Sequence, residues 1–155
     1  MFRAARRPAL RSAGITATLV GLAAVVAPST PAAAAPTSVE QQLLSRLAKA
    51  RKSRGLKPYR VGGAITSVAR EQARRMAETG VLHHNPQLTT QVTSWRHLGE
   101  NVGEGPDPTT VHRAFMGSAA HRDNILSRRY TRVGVGAVVR DGQMWVTEVF
   151  KTPAR

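Results

Sequence analysis

His121 lies in the stretch Ser118-Ala119-Ala120-His121-Arg122-Asp123-Asn124-Ile125-Leu126. It falls on a stripe in which Val111, Ala114, Phe115, Ser118, His121 and Ile125 recur at three- and four-residue steps, the period of a buried helix face. An imidazole aimed inward can ligate a metal or move a proton near neutral pH, and the small Ser118 one turn earlier leaves room for a pocket. A core histidine satisfied by a carbonyl is the more ordinary reading, so the neighbouring motifs have to decide. Upstream, Gly99-Glu100-Asn101 offers a carboxylate beside an amide, and Val81-Leu82-His83-His84-Asn85-Pro86 offers two further imidazoles.

Taken in order, these motifs and a Val133-Gly134-Val135-Gly136 strand followed by Val149-Phe150 make a set more specific than any one of its parts. From about Val39 to Phe150 the chain resembles the CAP superfamily, the secreted domain shared by cysteine-rich secretory proteins, antigen 5 and plant pathogenesis-related proteins, in its bacterial, cysteine-free SCP-like form. The resemblance implies a central cleft lined by two histidines and two acids, with the histidines holding a divalent metal in some members. Carried over by motif, His84 is the first histidine, Glu100 the first acid and His121 the second histidine. Where a second acid is expected, one turn before His121, this chain has Ser118.

Two imidazoles suit zinc, but catalytic zinc usually has three protein ligands and an open position. Glu100 is able to complete the ligand set or to act as a base on bound water, and one carboxylate cannot do both. Glu148 is the spare acid on an expected strand, and a rim position is the expectation for it. His83 is expected at the surface, and His97 and His112 in structural roles. Ser118, His121 and Glu100 can be drawn as a nucleophilic triad, but a serine within a helix lacks the exposed strand-to-helix elbow that primes such a nucleophile. Asn101, Arg122 and Asn124 read as cleft scaffolding, bonding loop carbonyls.

The elements that must position these groups begin after a leader. Arg3, Arg6, Arg7 and Arg11 precede the fourteen uncharged residues Ala13 to Val26, and Ala32 to Ala35 offer small-residue cleavage sites. Residues 1–35 therefore read as a signal peptide, the apolar run falling short of the roughly 20 residues a membrane-spanning helix needs. The expected product is secreted, by the general export route rather than the twin-arginine route that Arg6-Arg7 suggests, and is a monomer without stable membrane insertion. Residues 36–155 form the one expected domain.

The 155-residue chain carries 23 basic and nine acidic residues, a formal charge of +14. Four of the arginines and none of the acids lie in residues 1–35, which leaves +10 for the domain. Such a field favours anionic cell-envelope polymers or lipid headgroups. Few aromatics and no groove-reading motif argue against nucleic acid. With no cysteine, thiol catalysis, thiolate metal sites and disulfides are excluded.

Thr37-Ser38-Val39-Glu40 reads as a capping box for a helix with Val39, Leu43, Leu44 and Leu47 inward. Its last turn carries Arg51, Lys52 and Arg54, placed there for the helix dipole, before Gly55 stops it. A second helix follows Gly62-Gly63, with Ile65, Val68, Ala69, Ala73, Met76 and Ala77 inward and Arg70, Glu71, Arg74 and Arg75 outward. The first strand is expected around His97 to Gly103, and Asp107-Pro108 opens the helix bearing His112 and Phe115. Val133, Val135, Ala137 and Val139 then alternate on one strand face, Asp141-Gly142 signals a tight hairpin, and Met144 to Phe150 returns. A ribbon apolar on both faces needs helices on both sides. The expected fold is an α/β three-layer α-β-α sandwich with a small, mainly antiparallel sheet.

The function that follows is a cleft of His84, Glu100, Asn101, Ser118 and His121. It takes a small-molecule or lipid ligand or, weakly, a divalent cation such as zinc on His84 and His121. Two alternatives stand beside it: a metal-assisted hydrolase of peptide or envelope substrates with Glu100 as catalytic base, and a basic envelope-binding module without catalysis.

Overall fold

The computed structural model describes residues 36–155; the segment read as a signal peptide lies outside the described residues. Helix α1 (Ser38–Lys52) starts at the expected capping box, in which Thr37 Oγ1 accepts from Glu40 N–H and the Glu40 carboxylate accepts from Thr37 N–H. After it come β1 (Arg60–Val61), α2 (Gly63–Thr79), α3 (Leu88–Gln91), β2 (Trp95–Gly105), α4 (Pro108–Gly117), α5 (Ala119–Leu126), β3 (Arg132–Arg140) and β4 (Gln143–Pro153). The sheet order is β1-β3-β4-β2, with β1 parallel to β3 and the other pairs antiparallel. Asp141 and Gly142 both have positive φ at the β3–β4 turn, the geometry an Asp-Gly hairpin loop supplies.

The sheet is covered on both faces, as its two-sided apolar pattern requires. On one side Leu43 and Leu47 of α1, Val111 and Phe115 of α4 and Ile125 of α5 pack on Val133, Val135, Val146 and Phe150. On the other, α2 lays Ile65 and Ala69 against Val149, and Met76 and Ala77 against Val102 and Trp145. A Cβ on Gly134 or Gly136 of β3 would collide with the α2 backbone at Ile65–Thr66 and Ala69–Arg70. The two glycines thus let a helix sit directly on the sheet.

Several expectations need correction. The stripe from Val111 to Ile125 is not one helix: Ser118, at φ −89° and ψ 126°, ends α4 and precedes α5. Gly117 and Ser118 are weak helix formers; Ala114, expected on the buried stripe, is exposed on α4. Strand β1 has no counterpart in the sequence pattern, because two residues carry no periodicity. Val139 is exposed, since β3 runs past its helical cover there. Arg70 does not simply face solvent; it grips buried Glu40 at 2.6 Å and ties α2 to α1.

Arg51 is the largest departure. It is only 4% exposed, with Nη1 donating to Ile125 O and Ser127 O and Nε to Lys57 O, each at 2.8 Å. Its guanidinium lies 3.6 Å from the Tyr59 ring centroid. It clamps the end of α5 to α1, a task that a last-turn dipole partner would not have.

Candidate functional site

Strand β2 is an edge strand of the sheet, and consecutive strand residues point to opposite faces. Glu100 therefore lies on the α2 face with Leu98 and Val102, while Asn101 lies on the α4–α5 face, opposite Glu148 of β4. The site wraps around this edge.

On the α2 face, the loop after α2 brings His84 to Glu100. His84 Nδ1 and Asn85 N–H each lie 2.9 Å from the same oxygen, Glu100 Oε2. The loop is fixed by Asn85 itself, which is 5% exposed: its Oδ1 accepts from Gln87 N–H and its Nδ2 donates to Gln91 Oε1. A carboxylate oxygen only accepts, so Nδ1 carries a hydrogen, and in the neutral imidazole Nε2 keeps its lone pair. Carboxylate–imidazole pairs of this kind orient metal-binding or substrate-binding histidines. The His84 side chain is 65% exposed whereas that of Glu100 is 3% exposed, which leaves the imidazole presented and the carboxylate behind it. Glu100 Oε1 is buried and has no hydrogen-bond partner among the described residues.

On the other face, Asn101 Nδ2 donates to His121 O at 3.2 Å and to Glu148 Oε2 at 3.0 Å. Asn124 Nδ2 in turn donates to Asn101 Oδ1 and Glu100 O. These bonds dock α5 on the strand and aim His121, whose half-buried ring lies 5.1 Å from Phe115 between centroids. No hydrogen bond to the His121 ring occurs among the described residues, so it is not a core histidine satisfied by a carbonyl. Burial, and then the charge of His84, hold its pKa below the ordinary histidine value.

Other placements differ from the sequence reading. His83, expected at the surface, is half-buried and bonded to Gln72, whose Nε2 donates to His83 O at 2.7 Å. Ser118 is half-buried next to His121, but no hydrogen bond joins them, and its hydroxyl does not cap α5. His112 lines a separate hollow with Arg46 and Lys49, and burial followed by the Arg46 charge lowers its pKa. Arg122 bonds Met116 O, as a scaffold residue should.

Glu148, expected at a rim, is completely buried. Its pKa is pushed up to about 7 by burial, against the lowering effect of the Asn101 hydrogen bond. Sequence reasoning also missed Asn85; the signal was an Asn-Pro pair directly after the histidine.

Among the described residues no group of three or more His, Cys, Asp or Glu is arranged to hold a metal ion. With Glu100 Oε2 engaged by His84 and Asn85 and Oε1 buried, the exposed donors for a cation are two imidazoles. That set does not fit a resident catalytic zinc, which takes three protein ligands. Two imidazoles alone would allow only weak, open coordination.

Residues 44–150 match the sequence profile of the cysteine-rich secretory protein family, CAP. The chain belongs to the CAP family. Its CAP domain is 29% identical over 126 residues to the uncharacterised protein YkwD of Bacillus subtilis, across 74% of this chain and 49% of YkwD. The chain thus spans about half the length of that relative. An outer surface protein of Borrelia burgdorferi shares the fold with a TM-score of 0.67 at 18% identity, over 76% of this chain and 96% of the Borrelia chain. An extracellular SCP-domain protein of Bacillus anthracis superposes with a TM-score of 0.63 at 22% identity, covering 74% of this chain and 40% of that one. The α-β-α sandwich is therefore a CAP fold, and no described helix is long and apolar enough to cross a membrane.

Proposed function

We propose that this CAP domain is exported and binds a small polar ligand at the edge strand β2, between His84 and His121. The observation that carries the reading is the Glu100 carboxylate, buried behind His84 and holding both His84 Nδ1 and Asn85 N–H at 2.9 Å. A buried carboxylate fixing the tautomer and direction of an exposed imidazole is an arrangement for presenting Nε2. The same arrangement allows weak binding of zinc or another divalent cation across the two imidazoles. It disfavours hydrolysis with Glu100 as base, because the carboxylate is buried behind His84, one oxygen shared by two donors and the other shut away from solvent.

The test is calorimetric titration of zinc into the wild type, His84→Ala and His121→Ala at neutral pH. Weak binding lost in both variants supports the pairing. Equal heats in all three would remove it. For export, intact mass of the secreted protein beginning after Ala35 supports the leader reading, and a mass beginning at Met1 contradicts it.

A further inference from the structure

A cavity of about 720 Å³ lies away from the His84–His121 cleft. It opens where the α1–β1 connection, the α5–β3 connection and the end of β4 meet. Arg51, Lys57, Arg60, Arg128 and Arg132 all line it, and no acidic side chain does. None of the five forms an ion pair among the described residues. Arg51 is the informative member: its charge is met by three carbonyl oxygens and a tyrosine ring, not by a carboxylate. Buried cations usually have a counter-charge; here the positive field is left uncancelled at the cavity wall.

Apart from Thr131, the remaining lining side chains are largely apolar. Tyr59 and Tyr130 point their hydroxyls into the protein, to Asn124 O and Ser127 O and to Leu98 O and Asn124 Oδ1 respectively. They offer the cavity ring carbon rather than hydroxyl, and Pro58 and Pro153 extend that surface. The volume falls within the range of small-molecule sites, roughly 300–1,000 Å³, and exceeds what a bare anion occupies.

We infer that this cavity is a binding site for a phosphate ester with a compact organic part. The guanidinium groups take the phosphate oxygens in the forked geometry suited to them, and the tyrosine and proline surface takes the organic part. This site is separate from the cleft and does not rest on the reading given to it. It localises to one pocket an anion affinity that net charge alone would spread over the whole surface.

The test uses the full chain at 0.15 M salt, titrated with inorganic phosphate, glycerol 3-phosphate and monomeric short-chain phosphatidylglycerol. Two triple variants are compared: Arg60→Gln/Arg128→Gln/Arg132→Gln in the cavity, and Lys49→Gln/Arg96→Gln/Arg113→Gln outside it, which removes the same charge. Saturable ester binding, weakened at least tenfold by the cavity triple and changed less than twofold by the other, is the expected result. Stronger binding of the lipid than of glycerol 3-phosphate then identifies a headgroup as the source, and the reverse identifies a free ester. Equal losses in the two triples mean a diffuse surface field and overturn the proposal. Inorganic phosphate binding as tightly as the esters overturns the assignment of an organic part. Should the cavity triple melt early, Arg128→Gln alone, at an exposed connecting position, carries the same comparison.

Discussion

Asn101 and Glu148 face each other on β2 and β4, and the 3.0 Å bond between them is the one hydrogen bond that the Glu148 carboxyl group makes among the described residues. The other oxygen, Oε1, is buried without a partner. A carboxylate in that position is poorly solvated, which is why its pKa rises to about 7.

The sign of the resulting pH dependence is fixed. A folded-state pKa above the unfolded value means that the native state holds the extra proton, so stability is full below about 4.3 and is lost as pH rises through about 7. Glu148→Gln mimics the protonated form. Between pH 5 and pH 8 the wild type should lose on the order of 3 kcal/mol relative to this variant in denaturant melts. His112 and His121, with lowered pKa values, destabilise in the opposite direction as pH falls through about 6.5, but they are common to both proteins and cancel. A difference that does not change with pH would mean that Glu148 does not titrate in this range.

If Glu100 orients His84 and does not itself ligate, its variants should separate. Glu100→Gln keeps an oxygen acceptor for Asn85 N–H and His84 and should retain most of the zinc affinity. Glu100→Ala should weaken it about 10- to 100-fold, the usual effect of losing an outer-shell partner. Calorimetry showing Gln as damaging as Ala would point to direct ligation.

Gly136 has the α2 backbone where its Cβ would be. Backbone cannot rotate aside as a side chain can, so Gly136→Ala should destabilise by about 1–3 kcal/mol or more. Gly117→Ala, with open space at the same position, is the control and should be neutral or better in thermal melts.

Phe115 is 2% exposed in the same cluster as Ile125, Val135 and Val146. Phe115→Ala should cost about 3–5 kcal/mol by urea denaturation, and a loss under about 1 kcal/mol would contradict the packing of α4 on the sheet.

Local signals in the chain were the readable ones. The capping box at Thr37, the Asp107-Pro108 start and the Asp141-Gly142 hairpin each depend on a few adjacent residues, and each is found as expected. The three histidine and glutamate motifs were also legible, but the arrangement among them was not. Whether Glu100 faces His84 or an ion depends on the loop that Asn85 ties down, and that loop has no period. Arg51 and Glu148 were misplaced for a related reason: a charged residue in a last turn or a strand is ordinarily solvated. Their burial follows from tertiary partners, the α5 carbonyls for one and Asn101 for the other.

Because Glu100 and Asn101 are chain neighbours serving opposite faces, β2 has no tolerance for a change in length. Inserting or deleting one residue upstream within the strand would exchange the faces of everything beyond it. The carboxylate would leave His84 and the amide would leave Glu148 and α5 in the same event. Length variation in this domain should therefore be confined to the connections on either side, such as the segment between Gln91 and Trp95, while the strand itself changes by substitution alone.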